Sequence, residues 1–405
     1  MRYDVIIAGG GIVGLATALQ LQLQKPDFRI AVLEKEQQVA THQSSRNSGV
    51  IHSGIYYRPG SLRATNCKRG YDLLLQFCRE NGIPHEICGK IIVATAEEEC
   101  IQLDKIFHRG VENRLTGIRK ITAAEARELE PNVCAVEAVW VPQAGIVDYG
   151  TVARKFAEIF LASGGEIFVN QKVVNVSERT VGIRVSTETG NDAHENVYET
   201  TFFVNCAGLY SDHVASRTGQ HLDVQIIPFR GEYYDLKPEA EHLVRNLIYP
   251  VPNPDFPFLG VHFTRMMQGG IEAGPNAVLA FSREGYSRWD LNVEELSETL
   301  AFPGFRKIAR KFWRQGWAEM QRSYSKAHFV RALQRLVPAI RSDDLKPGRS
   351  GVRAMACDRN GNLLDDFLIL EKPRMLNVCN APSPAATASL AIGETVSKKL
   401  IGMLE

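Results

Sequence analysis

Three glycines near the amino terminus carry the first clear chemical pattern in this 405-residue sequence. Gly9, Gly11 and Gly14 form G-x-G-x-x-G, and Glu34 follows Gly14 by twenty residues. Such glycines permit a tight turn, close approach of the backbone to a pyrophosphate, and packing of the following helix on a strand. A carboxylate at the position of Glu34 accepts hydrogen bonds from ribose hydroxyls and would repel a 2′-phosphate. The pattern therefore predicts dinucleotide binding.

The cysteines and histidines show no metal-ligand spacing. Eight cysteines are scattered without a C-x-x-C pair, and ten histidines include no H-x-x-x-H or H-E-x-x-H pattern. Scattered cysteines in a long chain are typical of buried thiols in a reducing compartment. We therefore predict no metal site and a cytoplasmic protein.

Two strands and a helix must position the glycine loop, and the sequence supplies them in register. Tyr3–Ala8 and Ile30–Glu34 are apolar runs that predict buried strands, and Gly11–Gln24 between them predicts a helix. The first turn of that helix would present unpaired N–H groups and the positive end of its dipole to the phosphates.

The rest of the chain predicts an α/β fold with two domains, because 405 residues are about twice the usual domain length. A Rossmann-like domain is expected to contain residues 1–90, 145–220 and 346–405, and a substrate domain with an antiparallel or mixed β-sheet to contain 91–144 and 221–345. Other predicted elements are the helices Leu62–Asn81, Ile101–Asn113, Thr122–Leu129, Tyr149–Ser163 and Ala385–Leu400, a helical region Arg306–Gln334, and the strands Lys90–Ala94, Glu166–Val176, Thr201–Cys206 and Met375–Asn380.

Charge and hydropathy exclude some classes of partner. The net charge of +1 gives no reason to expect nucleic acid. The apolar stretch Val5–Leu23 contains four glycines, and no later stretch reaches the ~18 apolar residues of a membrane span. We expect a soluble protein. Peripheral membrane contact through the basic and aromatic stretch Arg306–Arg322 stays open beside the favoured reading, a helix that covers the core.

The first βαβ unit does not choose between FAD and NAD, but two later segments favour a flavin. The strand Thr201–Cys206 is followed by Ala207 and Gly208, which would allow a second close pass of backbone beside the nucleotide. Asn380–Thr387 precedes a predicted helix whose N-terminus would stabilise the negative charge of a reduced flavin. The alternative for that segment is a helix start capped by Ser383.

Motifs over the whole chain resemble one enzyme family. They are Asn47–Tyr57, Pro228–Tyr233, Tyr249–Pro252, Pro257–Thr264, Gly274–Phe281, Gly351–Ala354 and Asn380–Thr387. Together they resemble the L-2-hydroxyglutarate dehydrogenases/oxidases, part of a broad FAD-dependent group that includes D-amino-acid oxidase and glycerol-3-phosphate dehydrogenase. The resemblance implies noncovalent FAD, oxidation of L-2-hydroxyglutarate to 2-oxoglutarate, and electron delivery to a quinone-linked acceptor or O₂. Ser282 departs from the family pattern, which has lysine there.

The resemblance also implies roles for individual side chains. His262, with His52 as the alternative, would be the base that removes the hydroxyl proton. Arg230 and Arg353 would bind the two carboxylates, because guanidinium groups bind carboxylates with two parallel hydrogen bonds. Tyr57, Tyr249 and Asn276 are candidates for orienting hydrogen bonds.

The expected cofactor site extends beyond the glycine loop and Glu34. Its further members are Lys35, Ser45, Asn47, Ser48, Gly49, Val173, Ala207, Gly208, Ser383, Ala385 and Thr387. Rival functions are an amine or amino-acid oxidase, a glycerol-3-phosphate dehydrogenase-like enzyme of the same fold, and an electron-carrying flavoprotein without a small substrate. An animal-type mitochondrial transit peptide is absent, so we expect a bacterial chain or a processed mitochondrial one.

Overall fold

The computed structural model describes residues 2–189, 192–253 and 258–404. The described strands in chain order are β1 (Arg2–Ala8), β2 (Ile30–Leu33), β3 (Val50–Ile51), β4 (His85–Glu86), β5 (Lys90–Ala94), β6 (Arg119–Thr122), β7 (Glu137–Val141), β8 (Gly145–Val147), β9 (Glu166–Phe168), β10 (Lys172–Arg179), β11 (Gly182–Thr189), β12 (Asp192–Asn205), β13 (Val224–Leu236), β14 (Leu247–Pro250), β15 (His262–Arg265), β16 (Ile271–Gly274), β17 (Val278–Leu279), β18 (Leu345–Asp358), β19 (Leu368–Lys372) and β20 (Met375–Asn380).

The described α-helices pack mainly on the faces of the sheets. They are α1 (Ile12–Gln24), α2 (Leu62–Glu80), α3 (Glu97–Glu112), α4 (Ala123–Leu129), α5 (Tyr149–Ala162), α6 (Ser211–Arg217), α7 (Val293–Ala301), α8 (Pro303–Lys311), α9 (Trp313–Tyr324), α10 (Lys326–Gln334) and α11 (Ser389–Gly402).

The first sheet holds the glycine loop. Its strand order is β10-β11-β12-β1-β2-β9, and β20 joins β12 and carries β19. β12, β1, β2, β9 and β20 are parallel where they pair, so their carboxyl ends meet at one edge. β1 and β2 are almost wholly buried, as expected for central parallel strands with helices on the sheet faces. The α/β prediction is confirmed for this part of the chain.

The second sheet lies mainly in the middle of the sequence. Its order is β17-β13-β16-β15-β14-β5-β7-β6, with β18 paired to β13. All pairings are antiparallel except β14 with β5, so the sheet is mixed. Phe329 and Leu333 of α10 pack in the core against this sheet. A small third sheet, β3-β8-β4, lies beside the loop that follows β3.

The boundary predicted at residue 346 falls within β18. This strand runs from Leu345 to Asp358 and hydrogen-bonds to β13 over nearly its whole length, which places it in the second sheet. Another of the four predicted boundaries, between residues 90 and 91, lies at the start of β5, which begins at Lys90. The chain therefore crosses between the sheets several times, and residues from distant segments meet where they cross.

Several predicted elements need correction. Glu166–Val176 is two strands, because Asn170 has φ of +56° and Gln171 donates its backbone N–H to the carbonyl of Glu34, which breaks the extended run. The helix predicted from Ala385 begins at Ser389, after a turn in which the N–H of Ala388 bonds to the carbonyl of Pro384. The charged helical region is three helices, α8, α9 and α10. Pro257, at the start of one family motif, lies outside the described residues.

Candidate active site

The glycine loop is packed so closely that it accepts no side chain at two positions. Gly9 has φ of +107°, and a Cβ there would lie 2.4 Å from the carbonyl oxygen of Cys206. A Cβ on Gly14 would lie 2.0 Å from the carbonyl oxygen of Gly9. Gly11, the N-cap of α1, has no side chain to cap the helix, and although the N–H of Ile12 bonds to Ser44 Oγ, the first turn keeps further N–H donors for an anion.

Glu34 is buried beside this loop. Its Oε2 accepts a 2.7 Å hydrogen bond from the N–H of Gly10, and its Oε1 accepts one of 2.9 Å from Glu36. Burial raises the pKa of Glu34, and the two backbone hydrogen bonds oppose that rise. Each carboxylate oxygen keeps acceptor capacity for a ribose hydroxyl. The geometry fits the predicted nucleotide contact.

The second backbone segment reaches the same edge of the sheet. Because β12 pairs with β1 in parallel, Ala207 follows its strand beside the loop that follows β1, and the Cα of Ala207 would lie 3.2 Å from a Cβ on Gly9. Gly208 has φ of +54°. Val173 belongs to the same buried cluster as Leu33 and packs near Ala207. These predicted cofactor residues are therefore neighbours in space.

The loop from Ser44 to Gly49 covers the start of α1. Ser44 Oγ accepts a 2.8 Å hydrogen bond from the N–H of Ile12. Ser45 donates to the carbonyl of Ala40, and Asn47 accepts from the N–H of Gly49 at 2.9 Å. A cavity of about 430 Å³ opens beside the loop. Its lining includes Ser45, Asn47, Gly49, Tyr149, Glu272 and Arg349, but neither predicted histidine.

The side chain of Lys35, a predicted cofactor residue, is paired with acidic side chains of the protein. Its Nζ contacts Glu36, lies 2.8 Å from Glu284 Oε2, and lies 3.2 Å from His42 Nε2. Glu36, His42 and Glu284 bring ligand-type atoms within 4.8 Å of one another. The Lys35 ammonium supplies the cation for these groups, so they form an ion-pair network.

The C-terminal segment is joined to the loop that carries His52. Thr387 Oγ1 accepts a 3.1 Å hydrogen bond from the N–H of His52 and lies 2.6 Å from the hydroxyl of Tyr149. Ser383 Oγ lies 3.3 Å from His52 Nε2. The alternative in which Ser383 caps the helix is wrong, because the N-cap of α11 is Ala388 and no side chain caps it. Ala385 lies in the preceding turn, bonded to the carbonyl of Pro382.

His262 is buried against an aromatic ring. The rings of Tyr249 and His262 stack with centroids 4.0 Å apart, and His262 Nδ1 lies 2.9 Å from the carbonyl oxygen of Gly260. A carbonyl can only accept, so Nδ1 carries the proton and Nε2 keeps its lone pair. Burial, with smaller contributions from the charges of Arg353 and Lys90, lowers the pKa of His262 to about 3, and the hydrogen bond to Gly260 opposes this shift. The side chain is therefore a neutral base at neutral pH.

His52 shares this environment. Burial lowers its pKa to about 3, helped by the charges of Lys90, Arg63 and His262. Arg63 stacks over the ring of Tyr57 at 4.4 Å and donates to the carbonyl of Ser383 at 2.5 Å. The structure thus brings together both predicted histidines and Tyr57.

The two predicted substrate arginines do not act together. In the β13–β18 pairing, Arg230 lies opposite Val352 and Arg353 lies opposite Phe229. Successive residues of a strand point to opposite faces, so the two guanidinium groups project from opposite faces of the sheet. Arg230 is occupied by Glu232 at 3.2 Å and the carbonyl of Ser287 at 2.9 Å.

Arg353 remains available for an anion. Its one direct hydrogen bond among the described residues is a 3.4 Å contact from Nη1 to the carbonyl of Asn276. The side chain of Asn276 is used by Glu232, to which Nδ2 donates at 2.9 Å and from whose N–H Oδ1 accepts at 2.8 Å. Asn276 therefore acts on Arg353 through its backbone, not through the predicted side-chain contact. Ser282, the departure from the family pattern, donates to Glu295 at 3.1 Å.

Sequence reasoning missed Lys90. This residue opens β5, is only 1% exposed, and its Nζ lies 4.7 Å from the ring centroids of both Tyr56 and Tyr249. Its charge lowers the pKa of both His52 and His262. The sequence signal for its burial is that it directly precedes the four apolar residues Ile91–Ala94.

The β1–α1–β2 unit, its glycine loop and the buried Glu34 beside that loop define a dinucleotide-binding protein. A model of the family "FAD dependent oxidoreductase" matches residues 4–399. The chain belongs to this family, and FAD is its cofactor. Within the described ranges, no helix combines the length and hydropathy required to cross a lipid bilayer.

Several similar proteins carry the name L-2-hydroxyglutarate dehydrogenase. The chain is 54% identical to the L-2-hydroxyglutarate dehydrogenase of Indibacter alkaliphilus, covering 98% of each protein. It is 43% identical to that of Escherichia coli K12, over 99% of this chain and 94% of the relative, and 42% identical to the human mitochondrial enzyme, over 98% and 88%. FAD-bound L-alpha-glycerophosphate oxidase of Mycoplasma pneumoniae shares the fold with a TM-score of 0.79 at 23% identity, over 100% of this chain and 95% of that one.

Proposed function

We propose that this protein oxidises L-2-hydroxyglutarate to 2-oxoglutarate with FAD. The observation that carries the proposal is nearly full-length similarity, at 42–54% identity, to enzymes of that name from bacteria and human mitochondria. The site supplies groups that this reaction needs: a neutral imidazole, a guanidinium with spare donors, and a C-terminal segment that meets the histidine loop.

The oxidation removes a hydride from the substrate α-carbon and a proton from its hydroxyl. Bound FAD supplies the hydride acceptor. His262 accepts the hydroxyl proton at Nε2, because Nδ1 is held protonated by the carbonyl of Gly260. Arg353 binds the carboxylate next to the reacting carbon and orients it. Tyr249 covers one face of the imidazole and keeps water from it.

The alternative substrates are those of enzymes with the same fold. Relatives by structure include a glycine oxidase from Geobacillus kaustophilus, with a TM-score of 0.72 at 18% identity over 99% of this chain and 95% of that one. The test is anaerobic mixing of the yellow protein with L-2-hydroxyglutarate, its D-enantiomer, glycine, sarcosine and glycerol 3-phosphate. We expect rapid flavin bleaching with L-2-hydroxyglutarate alone. Bleaching by an amine or by glycerol 3-phosphate instead would replace the proposal with the corresponding alternative.

We also propose a quinone-linked electron acceptor, reached at the inner face of a bacterial membrane. Its support is an exposed aromatic face on α9: Trp313 is 62% exposed, Trp317 is 65% and Tyr324 is 56%. Residues spaced by four and seven share one side of a helix. Exposed Lys311 and Arg314 flank this face. Aromatic side chains with nearby cations suit the interface of an anionic membrane. If oxygen is the acceptor instead, turnover in air will equal turnover with a quinone analogue.

A further inference from the structure

Lys90 is a buried basic residue for which the described part of the chain supplies no carboxylate partner. Its flanking groups are the rings of Tyr56 and Tyr249, each 4.7 Å from Nζ. Among the described residues no carboxylate pairs with it, and the only neighbouring group that favours its charged form is Cys67. Burying an ammonium without an anion is costly, so such an arrangement is typical of a functional site.

Tyr56 shares this lack of a partner. Its hydroxyl is buried and makes no hydrogen bond in the described structure. Burial raises the pKa of Tyr56 well above its ordinary value, so the hydroxyl stays protonated and can donate. An unmade hydrogen bond of a buried hydroxyl costs about 1–3 kcal/mol. The ring that lies 4.7 Å from Lys90 Nζ therefore carries a buried hydroxyl without a partner among the described residues.

Arg63, a third cation beside the histidines, already has protein partners. Of the three cationic side chains whose charges lower the pKa values of His52 and His262, Arg63 is bound by Ser383 and Asp365. Arg353 has a single 3.4 Å hydrogen bond, and Lys90 has none among the described residues. Arg353 and Lys90 therefore both retain hydrogen-bond donors near His262.

We propose that Lys90, assisted by the Tyr56 hydroxyl, binds the carboxylate of the substrate that lies far from the reacting carbon, while Arg353 binds the near one. This inference rests on the proposed function. It gives Lys90 the carboxylate-binding role that the sequence analysis predicts for Arg230. It makes Lys90 the residue that selects dicarboxylates over monocarboxylates.

The surroundings of Lys90 predict how this selection depends on pH. The described titratable groups around it are Tyr56, Tyr249, Cys67, His52 and His262, and the charged Arg63 and Arg353 lie beside the histidines. Burial raises the pKa values of the tyrosines and the thiol and lowers those of the histidines, so all five are neutral. Burial lowers the pKa of Lys90 to about 7. Above that pH the free enzyme must take up a proton to bind the dianion, and binding weakens as pH rises.

The first experiment compares two substrates in holoenzyme variants. L-2-hydroxypentanoate has the carbon chain of L-2-hydroxyglutarate without its distal carboxylate. In Lys90→Met we expect kcat/KM for L-2-hydroxyglutarate to fall roughly a hundredfold, as for loss of a buried charge pair, while kcat/KM for L-2-hydroxypentanoate is unchanged or rises. Lys105→Met, which removes an exposed lysine of α3, is the matched control and should leave both values unchanged.

The second experiment needs no turnover and remains decisive if Lys90→Met fails to retain FAD. The Kd of 2-oxoglutarate is measured from the flavin spectrum of oxidised holoenzyme between about pH 6 and pH 9. We expect it to rise above about pH 7 in the wild type and to stay constant in Lys90→Arg, whose guanidinium remains charged. A pH-independent wild-type Kd, or an unchanged substrate ratio in Lys90→Met, overturns the inference. If the wild-type flavin is not bleached by L-2-hydroxyglutarate at all, the proposed function itself is wrong.

Discussion

His262 is held by two contacts that leave one ring nitrogen free to act as a base. Gly260 fixes the proton on Nδ1, and Tyr249 stacks on the ring. We predict that His262→Gln slows anaerobic flavin reduction by L-2-hydroxyglutarate by about 10²–10⁴-fold, the usual contribution of a general base, with FAD content unchanged. His221→Gln, at an exposed position, is the control and should have no effect. Full activity of His262→Gln together with the loss in His52→Gln would assign the base to His52.

The pH profile offers an independent check on the histidines. A lowered pKa means that the neutral form persists as pH falls through the ordinary histidine value of about 6.5. Burial lowers the pKa values of both His52 and His262 to about 3. We therefore predict that kcat/KM shows no acid limb near pH 6.5 when it is measured down to about pH 5.5. An acid limb there that shifts in His262→Gln would contradict the buried, neutral state of the base.

Single residues differ in how well the sequence predicts them. The glycines and Glu34 follow from local spacing, and His52, His262 and Arg353 follow from family motifs. Lys90 was missed because a lysine before the apolar run Ile91–Ala94 has the pattern of a solvated strand end. The separation of Arg230 from Arg353 could not be predicted, because only the β13–β18 register shows that they project from opposite faces.

At the scale of elements, the packing of α1 against the loop that follows β1 predicts a sharp difference between two helical glycines. A Cβ on Gly14 would meet the Gly9 carbonyl at 2.0 Å, whereas a Cβ on Gly316 in α9 has nothing within 4 Å. Gly14→Ala should therefore purify with little FAD and a lowered melting temperature. Gly316→Ala should keep its FAD and gain up to about 1 kcal/mol from helix propensity. The measurements are the ratio of flavin to protein absorbance and thermal unfolding. Equal flavin content in the two variants would contradict the close packing.

Element prediction worked where hydrophobic periodicity was long and failed at local backbone conformations. The β1–α1–β2 unit is confirmed, and so is the helix predicted over Thr122–Leu129, which forms as α4 with Thr122 as its N-cap. The break at Asn170 depends on a left-handed residue that no pattern marks. The start of α11 depends on a turn anchored by Thr387 to His52, a contact between residues 335 positions apart. Such tertiary constraints are not present in local sequence.

At the scale of the whole molecule, the site exists only where segments of both sheets meet. His262 comes from β15, Arg353 from β18 and Lys90 from β5, all in the second sheet, whereas Gly9 and Ala207 lie at the edge of the first. His52 and Thr387, from opposite ends of the chain, are hydrogen-bonded to each other beside them. The chain crosses between the sheets several times, so the candidate substrate groups and the glycine loop come from segments that are far apart in the sequence.

The exposed face of α9 lies on the outside of this assembly and leads to a prediction about electron delivery. If Trp313 and Trp317 insert into a lipid interface, replacing both with serine should abolish co-sedimentation with anionic vesicles and slow reduction of a membrane-dissolved quinone. Reduction of a water-soluble dye should be unchanged, because the substrate site is untouched. Leu23→Ser, at an equally exposed apolar residue of α1, is the control.

Because insertion buries the aromatic rings while Lys311 and Arg314 face the lipid phosphates, binding should weaken with salt and persist only partly on neutral vesicles. Wild-type protein that stays in solution with anionic vesicles, yet reduces the quinone at full rate, would show that electrons leave the flavin without this surface.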